Sequence, residues 1–139
     1  QEPWLSNATR ESAALNVMFH VGAAFRKPDQ SISFAEISEK TNIPTIALAP
    51  IVQALEETGL IRSTESEELV PGRETSRIRL ADILDVMRSQ GEVGSHRLPQ
   101  WSPMVSLLGE QVDAAIATVV ADRTLADLLD EAEADTPPA

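Results

Sequence analysis

The feature that most constrains the fold of this sequence is a helix start followed closely by a sharp turn. Ser33 and Glu36 have the spacing of a capping box, in which each side chain bonds the other residue's backbone N–H. The helix is predicted to end near Thr41, because residues 42–44 read Asn-Ile-Pro, a combination typical of tight turns. A second helix, Thr45–Thr58, is predicted directly afterwards. Two helices joined in this way are typical of helix-turn-helix units.

A change of pattern follows the second helix. Gly59 is predicted to cap it, since glycine adopts the left-handed cap conformation without strain. Residues 60–63 and 68–71 then read as two extended segments around an acidic tip, which predicts a short β-hairpin. Pro50 interrupts the second helix, and we expect it to bend that helix or to delay its start to about Ala47.

Helical periodicity predicts further helices around this unit. Apolar residues recur at steps of three and four over residues 9–27, 80–88 and 102–121, and again in a short segment capped by Thr124. Residues 77–79 look like a third extended piece. The predicted fold class is therefore mainly α: a winged helix-turn-helix with a short β-hairpin wing and additional C-terminal helices.

The length of 139 residues fits one domain. We predict an irregular lead-in over residues 1–8, a single winged-helix-like domain over residues 9–130 and a disordered acidic tail over residues 131–139. Residues 89–102 are predicted to form a loop, and Trp101 at its end is expected to pack that loop onto the core.

Composition limits the classes of function. The sequence has no cysteine, so disulfides and thiolate metal sites are excluded. It has 22 acidic against 11 basic residues and a net charge of −11, which weighs against nucleic acid as a partner without excluding it. No uninterrupted apolar run approaches the length of a membrane span, and the N-terminus lacks the pattern of a signal peptide.

The second helix of the unit is the element that would read DNA, and its sequence is unusual for that role. Its first two turns contain no basic residue, and only Thr45 and Gln53 have side chains suited to base edges. Ile46 and Leu48 are predicted to face a partner surface or the core. Three arginines after the hairpin, Arg73, Arg77 and Arg79, could form a small basic patch nearby. The predicted interaction surface comprises Thr45, Ile46, Leu48, Gln53, Arg73, Arg77 and Arg79.

No catalytic, cofactor-binding or metal-binding residues are predicted. His20 and His96 are far apart in the sequence and lack a carboxylate motif, so they do not make a metal site. Asp82 and Asp85 share a helix face that is interpreted as solvated. The neighbouring residues Ser95 and His96 lack an orienting partner for nucleophilic catalysis. The chain is therefore predicted not to be an enzyme.

Several segments resemble the C-terminal cytosolic domain of the YihY/BrkB membrane protein family, long labelled ribonuclease BN. These are "EISEKTNIP", "ALEETGLI", "LVPGRETSRIRLADILDVMR" and "RTLADLLDEAEA". The resemblance implies a non-catalytic regulatory or protein-interaction domain on the cytoplasmic face of the bacterial inner membrane, with a protein partner or its own membrane domain as the partner and no insertion of this segment. A start at Gln1 fits that interpretation, and nothing in these residues supports the ribonuclease label.

The "LADIL" segment and the closing helices also resemble Rrf2-type winged-helix transcription regulators. That resemblance implies the alternative function, a DNA-binding regulator that forms a homodimer through residues 103–121. The chain departs from many Rrf2 proteins in having no cysteine, so it lacks the ligands for an iron–sulfur cluster.

Overall fold

The computed structural model describes residues 5–92 and 101–135, which fold as six α-helices and one hairpin. The helices are α1 (Asn7–Phe25), α2 (Phe34–Thr41), α3 (Thr45–Glu57), α4 (Leu80–Glu92), α5 (Pro103–Val120) and α6 (Leu125–Asp135). The strands are β1 (Ile61–Ser63) and β2 (Leu69–Pro71), and a short 3₁₀ helix spans Thr75–Arg77. Element order and type agree with the predicted mainly helical winged helix-turn-helix.

Helix α1 is the centre of the domain. It packs against α3, α4, α6 and β2, so all other layers of the core meet on its surface. Its buried positions follow the helical repeat that the sequence displays, namely Ala13, Ala14, Val17, Met18 and Val21. Burial of such apolar surface is the main stabilising contribution in a domain of this size.

The helix-turn-helix unit forms through local hydrogen bonds, as predicted. The Ser33 hydroxyl accepts a hydrogen bond from the Glu36 N–H, and the Glu36 carboxylate accepts one from the Ser33 N–H, both at 3.2 Å. Asn42 adopts a left-handed conformation (φ 56°) that ends α2. Gly59 (φ 80°) ends α3, with the Leu60 N–H reaching back to the Leu55 carbonyl at 2.9 Å.

The hairpin is antiparallel and pairs Ile61 with Pro71 and Ser63 with Leu69. At the base of the hairpin, Gly72 lies unusually close to the backbone of Gly59. A Cβ atom on Gly72 would lie 2.0 Å from the Gly59 carbonyl oxygen. Only glycine fits this position, and the approach places the wing directly beside the end of α3.

Some predicted boundaries differ from the structure. Helix α3 starts at Thr45, so the late start near Ala47 is wrong. Residues 75–77 form a 3₁₀ helix rather than part of an extended piece, although Arg79 does bridge to Thr124 as an isolated β-pair. Helix α4 continues to Glu92, into the predicted loop.

The ends of the domain also differ from the predicted division. Helix α1 already begins at Asn7, capped by Ser6, so the last residues of the predicted lead-in over 1–8 are helical. Helix α6 continues to Asp135, so residues 131–135 of the predicted tail are helical too. Residues 1–4 and 136–139 lie outside the described residues, and the outer limits of the domain stay a prediction.

Candidate functional site

The exposed face of α3 is apolar and acidic rather than basic. Thr45 and Ile46 lie on the surface, with Ile46 63 % exposed, and Gln53 is exposed two turns later. The Gln53 side-chain amide donates to the Glu57 carboxylate at 3.4 Å. Of the two side chains suited to base edges, one is therefore already hydrogen-bonded within the helix.

Leu48 is not part of this surface. It is fully buried in the core, which corrects its place in the predicted interaction surface. The reason is the helical repeat: Leu48 shares the inner face of α3 with Ile51, Val52 and Leu55, whereas Ile46 lies on the outer face. The sequence pattern alone is compatible with either face for these apolar residues.

The three predicted arginines are all exposed, and two of them lie beside carboxylates outside α3. Arg77 lies 3.8 Å from the Glu74 carboxylate, and Arg79 lies 3.6 Å from that of Asp122, beside the start of α6. Among the described residues, none of the three has an ion pair or side-chain hydrogen bond with α3. Arg77 and Arg79 thus have acidic partners of their own, and the basic patch beside α3 stays a prediction.

A groove lies between α2, α3 and the wing. Its volume is about 760 Å³. The apolar residues that line it are Phe34, Ala35, Ala49, Val52 and Leu69, and the polar ones are Ser33, Gln53, Glu56, Ser63, Ser66 and Glu67. Sequence analysis missed Glu56 and Glu67 as parts of one site, since they belong to different elements and meet only when the wing folds beside α3.

Charge at this side of the molecule is strongly acidic. From Thr45 to Arg73 the chain carries five glutamates and two arginines, a balance of 2 − 5 = −3. The glutamates are Glu56, Glu57, Glu65, Glu67 and Glu68, and the arginines are Arg62 and Arg73. A DNA phosphate approaching α3 and the wing would meet mainly like charge, which opposes binding.

The candidate residues for metal binding or catalysis do not come together in the described part of the chain. No group of three histidine or acidic side chains there could hold a metal ion. Asp82 accepts a hydrogen bond from the Arg79 N–H at 3.4 Å and so caps the start of α4, while Asp85 is exposed. Ser95 and His96 lie outside the described residues.

Helix α5 is the second feature of note, because none of its residues is buried. It begins with the predicted Ser102 cap and packs against α4 to a small extent, and its last residue, the half-buried Val120, packs against the edge of the core. Six large apolar residues are exposed along it: Met104, Val105, Leu107, Leu108, Val112 and Val119. Trp101, just before it, is 64 % exposed, so the expectation that it packs onto the core is wrong.

By length and composition α5 is also apolar enough to cross a membrane. No uninterrupted apolar run marks this helix in the sequence, because Glu110, Gln111 and Asp113 interrupt its middle. Charged residues at such a depth are costly in a bilayer, by about 2.5–3.5 kcal/mol each on insertion scales. A single helix of this kind is weak support for a membrane span, and a protein surface would cover its apolar residues equally well.

No protein-family model matches this sequence, and no curated protein is similar to it at a significant level. Solved structures are similar in fold. The oxidised form of Staphylococcus aureus CymR superimposes with a TM-score of 0.69 at 19 % identity, over 97 % of this chain and 100 % of that one. T. potens IscR gives a TM-score of 0.70 at 23 % identity, over 99 % and 94 %.

CymR of B. subtilis, described as the global cysteine regulator of that organism, gives a TM-score of 0.65 at 23 % identity, over 93 % and 98 % of the two chains. These comparisons support the Rrf2-type resemblance and give no support to the resemblance to YihY/BrkB. At this identity they establish the fold alone. The chain therefore has the winged-helix fold of Rrf2-type regulators, with its long helix after the wing included.

Proposed function

We propose that this chain is a non-catalytic winged-helix regulator that acts as a homodimer, with α5 of one copy covering α5 of the other. The observation that carries the proposal is the exposed apolar surface of α5. Met104 and Val119, 15 positions apart, are 74 % and 68 % exposed, so the apolar surface extends along most of the helix. A contiguous apolar face of this extent in water favours association.

The fold comparisons support the regulator interpretation. Structures that superimpose on nearly the whole chain include one described as a global cysteine regulator and another described as a putative transcriptional regulator. The comparisons offer no support for the expectation of a cytosolic domain attached to a membrane protein, and the proposal leaves that attachment out.

The dimer can be tested directly because the chain has no cysteine of its own. Single variants Met104→Cys, Leu108→Cys, Val112→Cys and Ile116→Cys place a thiol at successive positions along the apolar face. A two-fold axis that crosses α5 at one of these positions brings that position next to its own copy, within the roughly 4.4–6.8 Å Cα separation that a disulfide needs. Glu110→Cys, on the opposite face, is the matched control.

Light scattering on the unmodified chain gives the mass independently. We expect twice the 15.0 kDa of one chain in detergent-free buffer, and oxidised dimers for at least one apolar-face variant. A monomer at tens of micromolar together with no crosslink at any of the four positions would disprove the proposal.

DNA binding is the second candidate function. The observation that favours it is the fold itself, since one structure of the same fold is described as a putative DNA binding protein. The acidic balance of residues 45–73 opposes it, because this stretch carries five glutamates and two arginines. A gel shift with random-sequence duplex at low and at physiological salt tests this function. Micromolar, salt-dependent binding would establish it, and we expect none.

A further inference from the structure

The groove between α2, α3 and the wing combines an apolar floor with acidic walls. Phe34, Val52 and Leu69 contribute the floor, and each comes from a different element. Glu56 on α3 and Glu67 on the wing contribute carboxylates on two sides of it. This combination suits an extended ligand that carries both apolar and cationic groups.

The apolar surface continues out of the groove along α3. Ala49 lines the groove and lies one turn from Ile46, which is 63 % exposed, and from exposed Gln53 on the same face. Pro50 beside them is exposed as well and adds to this apolar surface. An exposed apolar strip that runs into a groove is typical of a protein-binding surface.

The carboxylates around the groove are not neutralised within the described chain. Six ion pairs join described residues, and none of them includes Glu56, Glu57, Glu65, Glu67 or Glu68. Glu56 is instead held in place by the Ser63 hydroxyl, which donates to its carboxylate at 2.7 Å. A held carboxylate without a cation is well suited to accept a charge-assisted hydrogen bond from a partner.

We propose that this groove binds a short basic segment of a partner protein, with an apolar side chain on the floor and arginine or lysine side chains at Glu56 and Glu67. The proposal names a partner class for the regulator and does not depend on the dimer through α5. Charge complementarity would steer the encounter and exclude nucleic acid from the same surface.

The probe is a capped hexapeptide of alternating arginine and valine, titrated into the ¹⁵N-labelled chain at physiological salt. A peptide with citrulline for arginine keeps the shape and removes the charge. We expect backbone signals of Ala35, Ala49, Gln53 and Leu69 to shift with the arginine peptide, and the citrulline peptide to bind at least about ten-fold more weakly, corresponding to 1.4 kcal/mol.

Two kinds of variant distinguish binding of the peptide in the groove from general attraction of a basic peptide to an acidic protein. Glu56→Gln with Glu67→Gln removes both groove charges, and the pair Glu39→Gln with Asp85→Asn removes two exposed charges elsewhere. Ala49→Leu places a larger apolar side chain in the groove and so narrows the groove without a change of charge. The groove pair and Ala49→Leu should each weaken binding at least about five-fold, while the control pair changes it less than about two-fold.

The proposal is overturned if the arginine peptide causes no shifts at the groove, if citrulline binds equally well, or if both charge pairs weaken binding alike. Thermal unfolding of each variant confirms that it is folded. Light scattering on the same samples keeps the two proposals apart, because a dimeric chain without peptide binding overturns only this inference.

Discussion

The Ser63 hydroxyl donates a hydrogen bond of 2.7 Å to the Glu56 carboxylate, and this bond joins the exposed side of α3 to the first strand of the wing. The two residues are seven positions apart, with the Gly59 cap between them, so the bond depends on the sharp return of the chain after α3. It orients one wall of the groove before any partner arrives. A preoriented acceptor loses less conformational entropy on binding than a free one.

A substitution of Glu67 at the wing tip should change stability and peptide binding in opposite directions. Glu67 adopts a left-handed conformation (φ 62°) at a hairpin position where glycine is usual. We expect Glu67→Gly to raise the free energy of unfolding by about 1 kcal/mol and yet to weaken the binding of the arginine peptide. Urea unfolding measures the first effect and the peptide titration the second.

The matched control for this prediction is Glu65→Gly. Glu65 is exposed on the same tip, without a positive φ and outside the groove lining. The glycine there should lower stability by a few tenths of a kcal/mol to about 1 kcal/mol, since it adds only backbone entropy to the unfolded chain. Equal effects of the two glycines on stability would contradict the account of strain at Glu67.

Association through α5 should depend on the face of the helix that is changed. Leu108→Glu places a charge in the middle of the apolar face, and we expect it to convert the dimer into a monomer at tens of micromolar. Ser106→Glu adds the same charge on the opposite side and should leave the dimer intact, since the two positions are about 200° apart around the helix. Light scattering decides, and a dimer that survives Leu108→Glu would count against α5 as the interface.

The pH dependence of stability should include a contribution from His20. Burial, with help from the positive charge of Lys40, lowers the pKa of the His20 imidazole below its ordinary value of 6.5. The unfolded chain therefore takes up a proton more readily, so the stability present above pH 6.5 is lost as the pH falls through that value towards the lower folded pKa. Between pH 7.5 and 5.5, the melting temperature of His20→Gln should fall less than that of the unmodified chain.

The contribution of Lys40 to the lowered pKa of His20 can be measured separately by NMR titration of the His20 ring. Lys40→Met removes the neighbouring charge, and the pKa of His20 should then rise towards 6.5 without reaching it, because burial is the larger cause. An unchanged or lower pKa in Lys40→Met would contradict the electrostatic part of this explanation.

The base of the wing should tolerate no side chain at Gly72. A Cβ atom there would lie 2.0 Å from the Gly59 carbonyl oxygen, which is backbone and has no flexible end to move aside. Gly72→Ala should therefore cost at least about 1–3 kcal/mol of stability, as overpacking does, and should separate the wing from α3. Gly109→Ala on exposed α5, where nothing lies within 4 Å, is the control and should be neutral or stabilising.

Part of the candidate site could be predicted from the sequence. Thr45, Ile46 and Gln53 are exposed on α3 as the predicted surface requires, and the acidic wing tip was visible in the residue order. The partners of the arginines could not be predicted, because they depend on how residues 72–79 cross the molecule, and Arg79 faces Asp122 from the far end of the chain. Helical and strand periodicity in a sequence carry no information about an ion pair between residues so far apart in the chain.

The sequence alone determined the local elements, because caps, turns and helical repeats act over three or four neighbouring residues. The Ser33–Glu36 box, the Asn42 turn and the Gly59 cap were all readable in this way. Only the tertiary structure decided that Leu48 faces inward, that Glu56 and Glu67 share one groove and that most of α5 stays exposed among the described residues. Those facts depend on which faces of distant elements meet, and packing of the whole core on α1 determines them.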